Sequence, residues 1–111
     1  MESLRIKWLK GKDVSGIKGL THLKKLFIEN AAELEDLSPL AEMRQLEVLI
    51  LGETKKIDDY SRLSKLQNLK VLGICRYRSE YDGAKLRIKS TDFMKDMPNL
   101  EWVDLVDCEV E

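Results

Sequence analysis

The sequence predicts an α/β coil of about five short parallel strands in one sheet, each followed by a tight turn on the outer wall. Three observations predict it. Strand-like stretches recur at a nearly fixed step. Between them, apolar residues fall at every third place. One longer step, near residues 76–87, is the single break in the rhythm.

The strands come first. "LKKLFIENA" from Leu23, "LEVLILGET" from Leu46, "LKVLGICRY" from Leu69 and "LEWVDLVDC" from Leu100 share one pattern. Each has an aliphatic residue at its first, fourth and sixth places. "MESLRIKWL" from Met1 fits as a fifth, with Leu4 and Ile6. The start-to-start steps are 22, 23, 23 and 31 residues. The fourth and sixth places share one face of a strand, because side chains alternate along it.

The turns follow. Val14, Ile17, Leu20 and Leu23 form one series. Leu34, Leu37, Leu40, Met43 and Leu46 form the next, and Ile57, Tyr60, Leu63, Leu66 and Leu69 the third. A strict period of three is too short for an α-helical stripe and too long for a strand. It fits 3₁₀ or short helical turns. One such turn cannot bury its apolar edge alone, so neighbours stack and bury it together. Ser38-Pro39 reads as a helix start, with Ser38 as N-cap. Asp58-Asp59 reads as a turn-start cap, and Ser90, Thr91 and Asp92 offer caps before Phe93. Pro98 leads into the last strand.

This pattern resembles the leucine-rich-repeat family over nearly the whole chain. It is most similar to the short 22-residue kind found in internalins and related phosphatase-regulatory proteins. "DLSPLAEMRQLEVLIL" is especially close to that style. The resemblance implies a right-handed solenoid over residues 1–111, one domain with repeats starting near 1, 23, 46, 69 and 100. It implies that the third, fifth, seventh and eighth strand places face a concave side. It also implies a non-catalytic protein-binding role. One departure stands out. The family usually has Asn at the ninth place, and here those places hold Leu9, Ala31, Thr54, Tyr77 and Cys108. Of these only the threonine hydrogen-bonds well, so backbone or water must satisfy the bends.

Composition narrows the function. The net charge is −1, so no whole-protein field selects nucleic acid or anionic lipid. No segment is long and apolar enough for a signal peptide or a membrane span. Cys75 and Cys108 stand 33 residues apart and form no CxxC pair. They read as free thiols in a cytoplasmic protein. Charge is patterned by block: +5 over residues 1–28, −6 over 29–60, +6 over 61–89 and −6 over 90–111. Alternating blocks about one repeat long imply attraction between neighbouring turns.

The concave rows hold the candidate contacts. The third-place row is Ser3, Lys25, Val48, Val71 and Trp102. The fifth-place row is Arg5, Phe27, Ile50, Gly73 and Asp104. Phe27, Val48, Ile50, Val71 and Trp102 therefore meet as an apolar patch on a face that is normally polar. Trp8 and Trp102 stand at opposite ends, and Trp8 reads as a cap on the end of the core. The partner expected is another protein. A second copy of the chain, covering the same patch, is the alternative.

The insertion supplies the rest of the candidate surface. Ile74 finds its next apolar anchor at Ile88, so 8 surplus residues leave the sheet between them. Asp82-Gly83 is a two-residue hairpin signal. Folding about it opposes Tyr77 with Ile88, Glu80 with Lys85, and Arg78 with Arg87. The two facing arginines suit a carboxylate or phosphate. Arg76, Tyr77 and Tyr81 join the expected contacts.

No chemistry-bearing set is found. His22 is the only histidine, and no zinc-ligand cluster surrounds it. No Cys–His or Ser–His pair supports a nucleophile. No phosphate-cradling glycine motif occurs, and no cofactor is expected. Arg76 beside Cys75 is too little for a redox role. Arg76, Arg78, Lys85, Arg87 and Lys89 with two tyrosines could touch a nucleic acid strand. Their acidic flanking blocks argue against nucleic acid as the partner.

Overall fold

A computed structural model of the chain describes residues 2–17, 19–20, 22–76 and 85–110. The strands among them are β1 (Ser3–Ile6), β2 (Lys25–Ile28), β3 (Val48–Gly52), β4 (Val71–Cys75), β5 (Leu86–Ile88), β6 (Trp102–Val106) and β7 (Cys108–Val110). Five pair in parallel in the order β1-β2-β3-β4-β6, while β5 pairs in parallel with β7.

The register follows the repeat. Leu4, Leu26, Leu49, Leu72 and Val103 lie side by side, as do Ile6, Ile28, Leu51, Ile74 and Leu105. These inner rows are buried in the middle turns and open at the two ends, where Val103 is 39% exposed. Leu49, Leu72 and their neighbours form one continuous core with the apolar residues of the turns. Cutting one such leucine to alanine should cost about 2–5 kcal/mol, because the cavity cannot fully collapse.

The period of three is also a hydrogen-bond period. The amides of Ile17, Leu20 and Leu23 donate to the carbonyls of Val14, Ile17 and Leu20. Leu63, Leu66 and Leu69 donate to Tyr60, Leu63 and Leu66 in the same way. Each anchor thus buries its side chain and satisfies its backbone three residues away. Within these turns lie one short α-helix, α1 (Ser38–Ala41), and 3₁₀ turns at Ser61–Lys65 and Asp92–Asp96.

The starts of the turns differ from the expectation at one place. Ser38 does not cap α1; Leu37 holds the cap position and makes no side-chain cap bond. The carboxylate of Asp36 instead accepts from the Ser38 amide at 2.9 Å. Asp13 accepts from Ser15 at 3.0 Å and Asp59 from Ser61 at 3.0 Å. The Ser90 hydroxyl accepts from the Asp92 amide at 3.1 Å. Positions 13, 36, 59 and 90 keep the strands' own step of 23, 23 and 31 residues. A short acceptor side chain bonding two residues on starts each turn.

The bends beyond the strands close through backbone, as the missing asparagines require. Leu9 donates to Asn30, Ala31 to Gly52, Glu53 to Cys75 and Arg76 to Val106, at 2.8 to 2.9 Å. Glu53 and Asp107 sit there with φ of 61° and 53°. The Thr54 hydroxyl is buried and bonds the buried Tyr60 hydroxyl at 2.8 Å. Amide side chains serve the opposite bend, where the strands begin. Asn68 donates to the Arg44 carbonyl at 3.1 Å and Asn99 to the Gln67 carbonyl at 2.8 Å.

The charge blocks meet as ion pairs between neighbouring turns. Lys24 reaches Glu2 at 3.6 Å and Glu47 at 4.0 Å, and Lys70 reaches Glu47 at 3.4 Å. Arg5–Glu29, Lys12–Glu35 and Lys65–Glu42 join turns likewise. All but the half-buried Glu47 are exposed, so each pair contributes about 0–1 kcal/mol. Together they favour one order of stacking.

Candidate protein-interaction surface

The sheet brings most of the candidate residues onto one face. Val48 and Val71 are paired in register with each other and with Trp102. Phe27 pairs with Ile50, and Ile50 with Gly73. Four of these apolar side chains, Phe27, Val48, Ile50 and Val71, are half-buried, and Trp102 is 65% exposed. Gly73 completes the packing by what it lacks. A Cβ there would stand 2.7 Å from the Ile50 Cδ1, so Ile50 leans into the space the glycine leaves.

The patch is bounded on one side by charge. Arg5 lies over the Phe27 ring at 4.9 Å and bonds Glu29 at 3.1 Å. The guanidinium is attracted by the ring face and held by the carboxylate at once. These residues, with Ile50, line a shallow depression of about 240 Å³. An apolar floor with a placed cation and anion at its rim suits a protein side chain.

The exit edge is built differently. Gly52 leaves β3 against the backbone of β2, where a Cβ would collide with the Glu29 carbonyl oxygen. Arg76 follows β4 and pairs with Glu53 at 3.8 Å, both side chains largely buried. Cys75 is buried and Cys108 half-buried, and both are free thiols. Burial, helped by neighbouring Cys75, pushes the Cys108 thiol up to about 11. The Cys108 thiol also lies 3.1 Å from the Ile74 carbonyl.

Several expectations meet a different arrangement. Trp8 is 58% exposed and does not cap the core. Tyr77 and Tyr81 lie outside the described residues, as does the first arm of the expected hairpin and its Asp82-Gly83 turn. Its second arm, Leu86–Ile88, is strand β5, and its described partner is β7. That pairing was not foreseen. Its signal was present in "CEV" at Cys108–Val110, a period-2 stretch one tight bend beyond β6.

Among the described residues, no group of three or more His, Cys, Asp or Glu is placed to hold a metal ion. None of their helices is long and apolar enough to cross a membrane.

No protein-family model matches the chain. No curated protein matches it either. Among solved structures it is similar to internalin C2 of Listeria monocytogenes, with a TM-score of 0.74 and 23% identity. The match covers 100% of this chain and 44% of the internalin C2 chain, so this chain spans less than half of that protein's length. The likeness concerns architecture, and the fold of this chain is a leucine-rich-repeat solenoid.

Proposed function

We propose that residues 1–111 act as one non-catalytic interaction domain in the cytoplasm, binding another protein through the concave sheet and the 76–87 insertion. One observation carries the reading. Phe27, Val48, Ile50 and Val71 form a contiguous apolar patch that runs to the exposed Trp102. Solvent-facing strand places are polar when nothing covers them, and Trp is a frequent interface anchor. The depression beside Phe27, with Arg5 and Glu29 at its rim, offers a place for a side chain of the partner. The contacts proposed are Phe27, Val48, Ile50, Val71 and Trp102 on the sheet, with Arg76, Tyr77 and Tyr81 at the insertion. That leucine-rich repeats commonly bind proteins supports the class of function and not the partner.

The test is an affinity capture with wild type and with Val48→Lys plus Ile50→Lys. Both positions are half-buried on the face, so the change removes the patch while leaving the inner rows intact. Loss of the captured proteins is expected, and retention of every one would refute the concave face. A homodimer over the same patch is the second reading, favoured by the unbroken apolar row alone. Sedimentation decides it: a monomer at high micromolar concentration removes that reading.

A further inference from the structure

We propose that a basic hollow at the exit edge of the sheet takes a carboxylate-rich segment of the partner. The inference rests on the protein-binding reading and adds the chemistry of what is bound. The hollow measures about 400 Å³ and is lined by Lys55, Lys56, Arg76, Lys85 and Arg87 with one acid, Asp58; Arg76 is already paired with Glu53, so the lysines carry the excess charge. The whole chain carries a net charge of −1, so this concentration of positive charge is local. Arg76 immediately follows β4, which places the hollow beside the concave sheet.

The contrast with the opposite edge carries the argument. There, Lys24 and Lys70 share Glu47 between them. Among the described residues, Lys55, Lys56 and Lys85 make no ion pair. Like charges gathered in one hollow repel, and partial exclusion of water strengthens the repulsion. An incoming anion relieves it and gains charge-assisted hydrogen bonds. The span favours a peptide over nucleic acid. The hollow's lining lies within residues 55–58 and 76–87, and the flanking segments 29–54 and 90–111 each carry −6. A nucleic acid strand spreads its charge over several nucleotides and would cross those acidic blocks. A peptide can place its carboxylates in the hollow alone.

The probe is a hexaglutamate peptide, titrated into the intact 15N-labelled chain at low salt. The amide signals of Lys56, Ile57 and Leu86 should shift together, and the affinity should fall as salt screens the pair. Lys55→Glu plus Lys56→Glu should weaken binding about tenfold, since each exposed pair contributes up to about 1 kcal/mol. Lys65→Glu plus Lys95→Glu makes the same change of net charge on the outer wall and should leave binding as it was. Absent or scattered shifts, or equal weakening by both double variants, would overturn the inference. Tighter binding of hexathymidylate at the same amides and salt would also overturn it, in favour of nucleic acid. The two readings fail separately. The hexaglutamate titration speaks only to the hollow, and the Val48→Lys plus Ile50→Lys capture only to the concave patch.

Discussion

Gly52 and Gly73 stand two places apart in the repeat, and the account assigns them opposite sensitivities. Gly52 is the last residue of β3 and is buried. An added Cβ would collide with the backbone carbonyl oxygen of Glu29 and lie 3.0 Å from its carbon. Backbone on an adjacent strand cannot rotate away, so β2 and β3 must part or the bend must move. Overpacking of a rigid site costs about 1–3 kcal/mol or more. Alanine recovers roughly 0.4–1 kcal/mol by restricting the unfolded chain. Gly52→Ala should therefore lose a net of about 2 kcal/mol. That corresponds to a fall in melting temperature of roughly 8–10 °C for a domain of this size. At Gly73 the nearest atom is the Ile50 Cδ1 at 2.7 Å, the free end of a side chain on an open face. Ile50 can turn aside, so Gly73→Ala should stay within about 1 kcal/mol of wild type. Urea unfolding followed by far-UV circular dichroism measures both. Equal effects at the two positions, or a neutral Gly52→Ala, would refute the register at the exit bend.

Three further outcomes are expected. Burial holds the Tyr60 hydroxyl protonated, with its pKa up to about 12 against an ordinary 10.0. Stability from this group is complete below pH 10 and lost as pH rises through 12. The two-unit difference amounts to roughly 3 kcal/mol, and Tyr60→Phe should lack that alkaline loss in urea titrations from pH 9 to 12. The Ser38 amide and then its hydroxyl hold the Asp36 carboxyl below the usual carboxylate range, and the Ser61 hydroxyl and then its amide do the same for Asp59. Their contribution is present above about pH 4 and lost as pH falls through the lowered values. Asp36→Ala plus Asp59→Ala should thus lower the urea midpoint at pH 7, with the deficit vanishing in strong acid. Glu47→Gln cuts two solvent-accessible ion pairs that share this half-buried carboxylate and should cost about 1 kcal/mol. The cost should shrink further at 1 M salt.

The inner rows of the fold were legible because burial leaves few options. An aliphatic residue at the fourth place of each strand, four leucines and Val103, stacks into one row. The period of three was legible for the same reason, since side chain and backbone amide repeat together. Turn starts were half legible. Asp59 and Ser90 were among the residues named at the turn starts and accept there from the amide two residues on, one place before the cap positions Tyr60 and Thr91, but Ser38 was credited with the role of Asp36. A proline after the serine imitates a helix start, and the four-residue helix that follows is too short to need one. The β5–β7 pairing escaped because a three-residue alternation such as Cys108–Val110 is too short to stand out from chance. Trp8 escaped because an apolar residue at the end of a stack is equally consistent with capping the core and facing water. The site was legible only as a patch. Sequence places Val48 beside Val71, but the lean of Ile50 over Gly73 and the seating of Arg5 on Phe27 depend on rotamers.

The two tryptophans offer the most direct test that the concave face is the binding face. Both are exposed, Trp102 beside Val71 on the patch and Trp8 beyond β1. Trp8→Phe leaves Trp102 as the sole reporter, and Trp102→Phe leaves Trp8. With a captured partner lacking tryptophan fluorescence at the detection wavelength, or labelled to be silent there, each variant is titrated and its emission and acrylamide quenching recorded. The account predicts a blue shift and loss of quenching for Trp102, with Trp8 as quenchable as before. Binding that leaves Trp102 fully quenchable would contradict it.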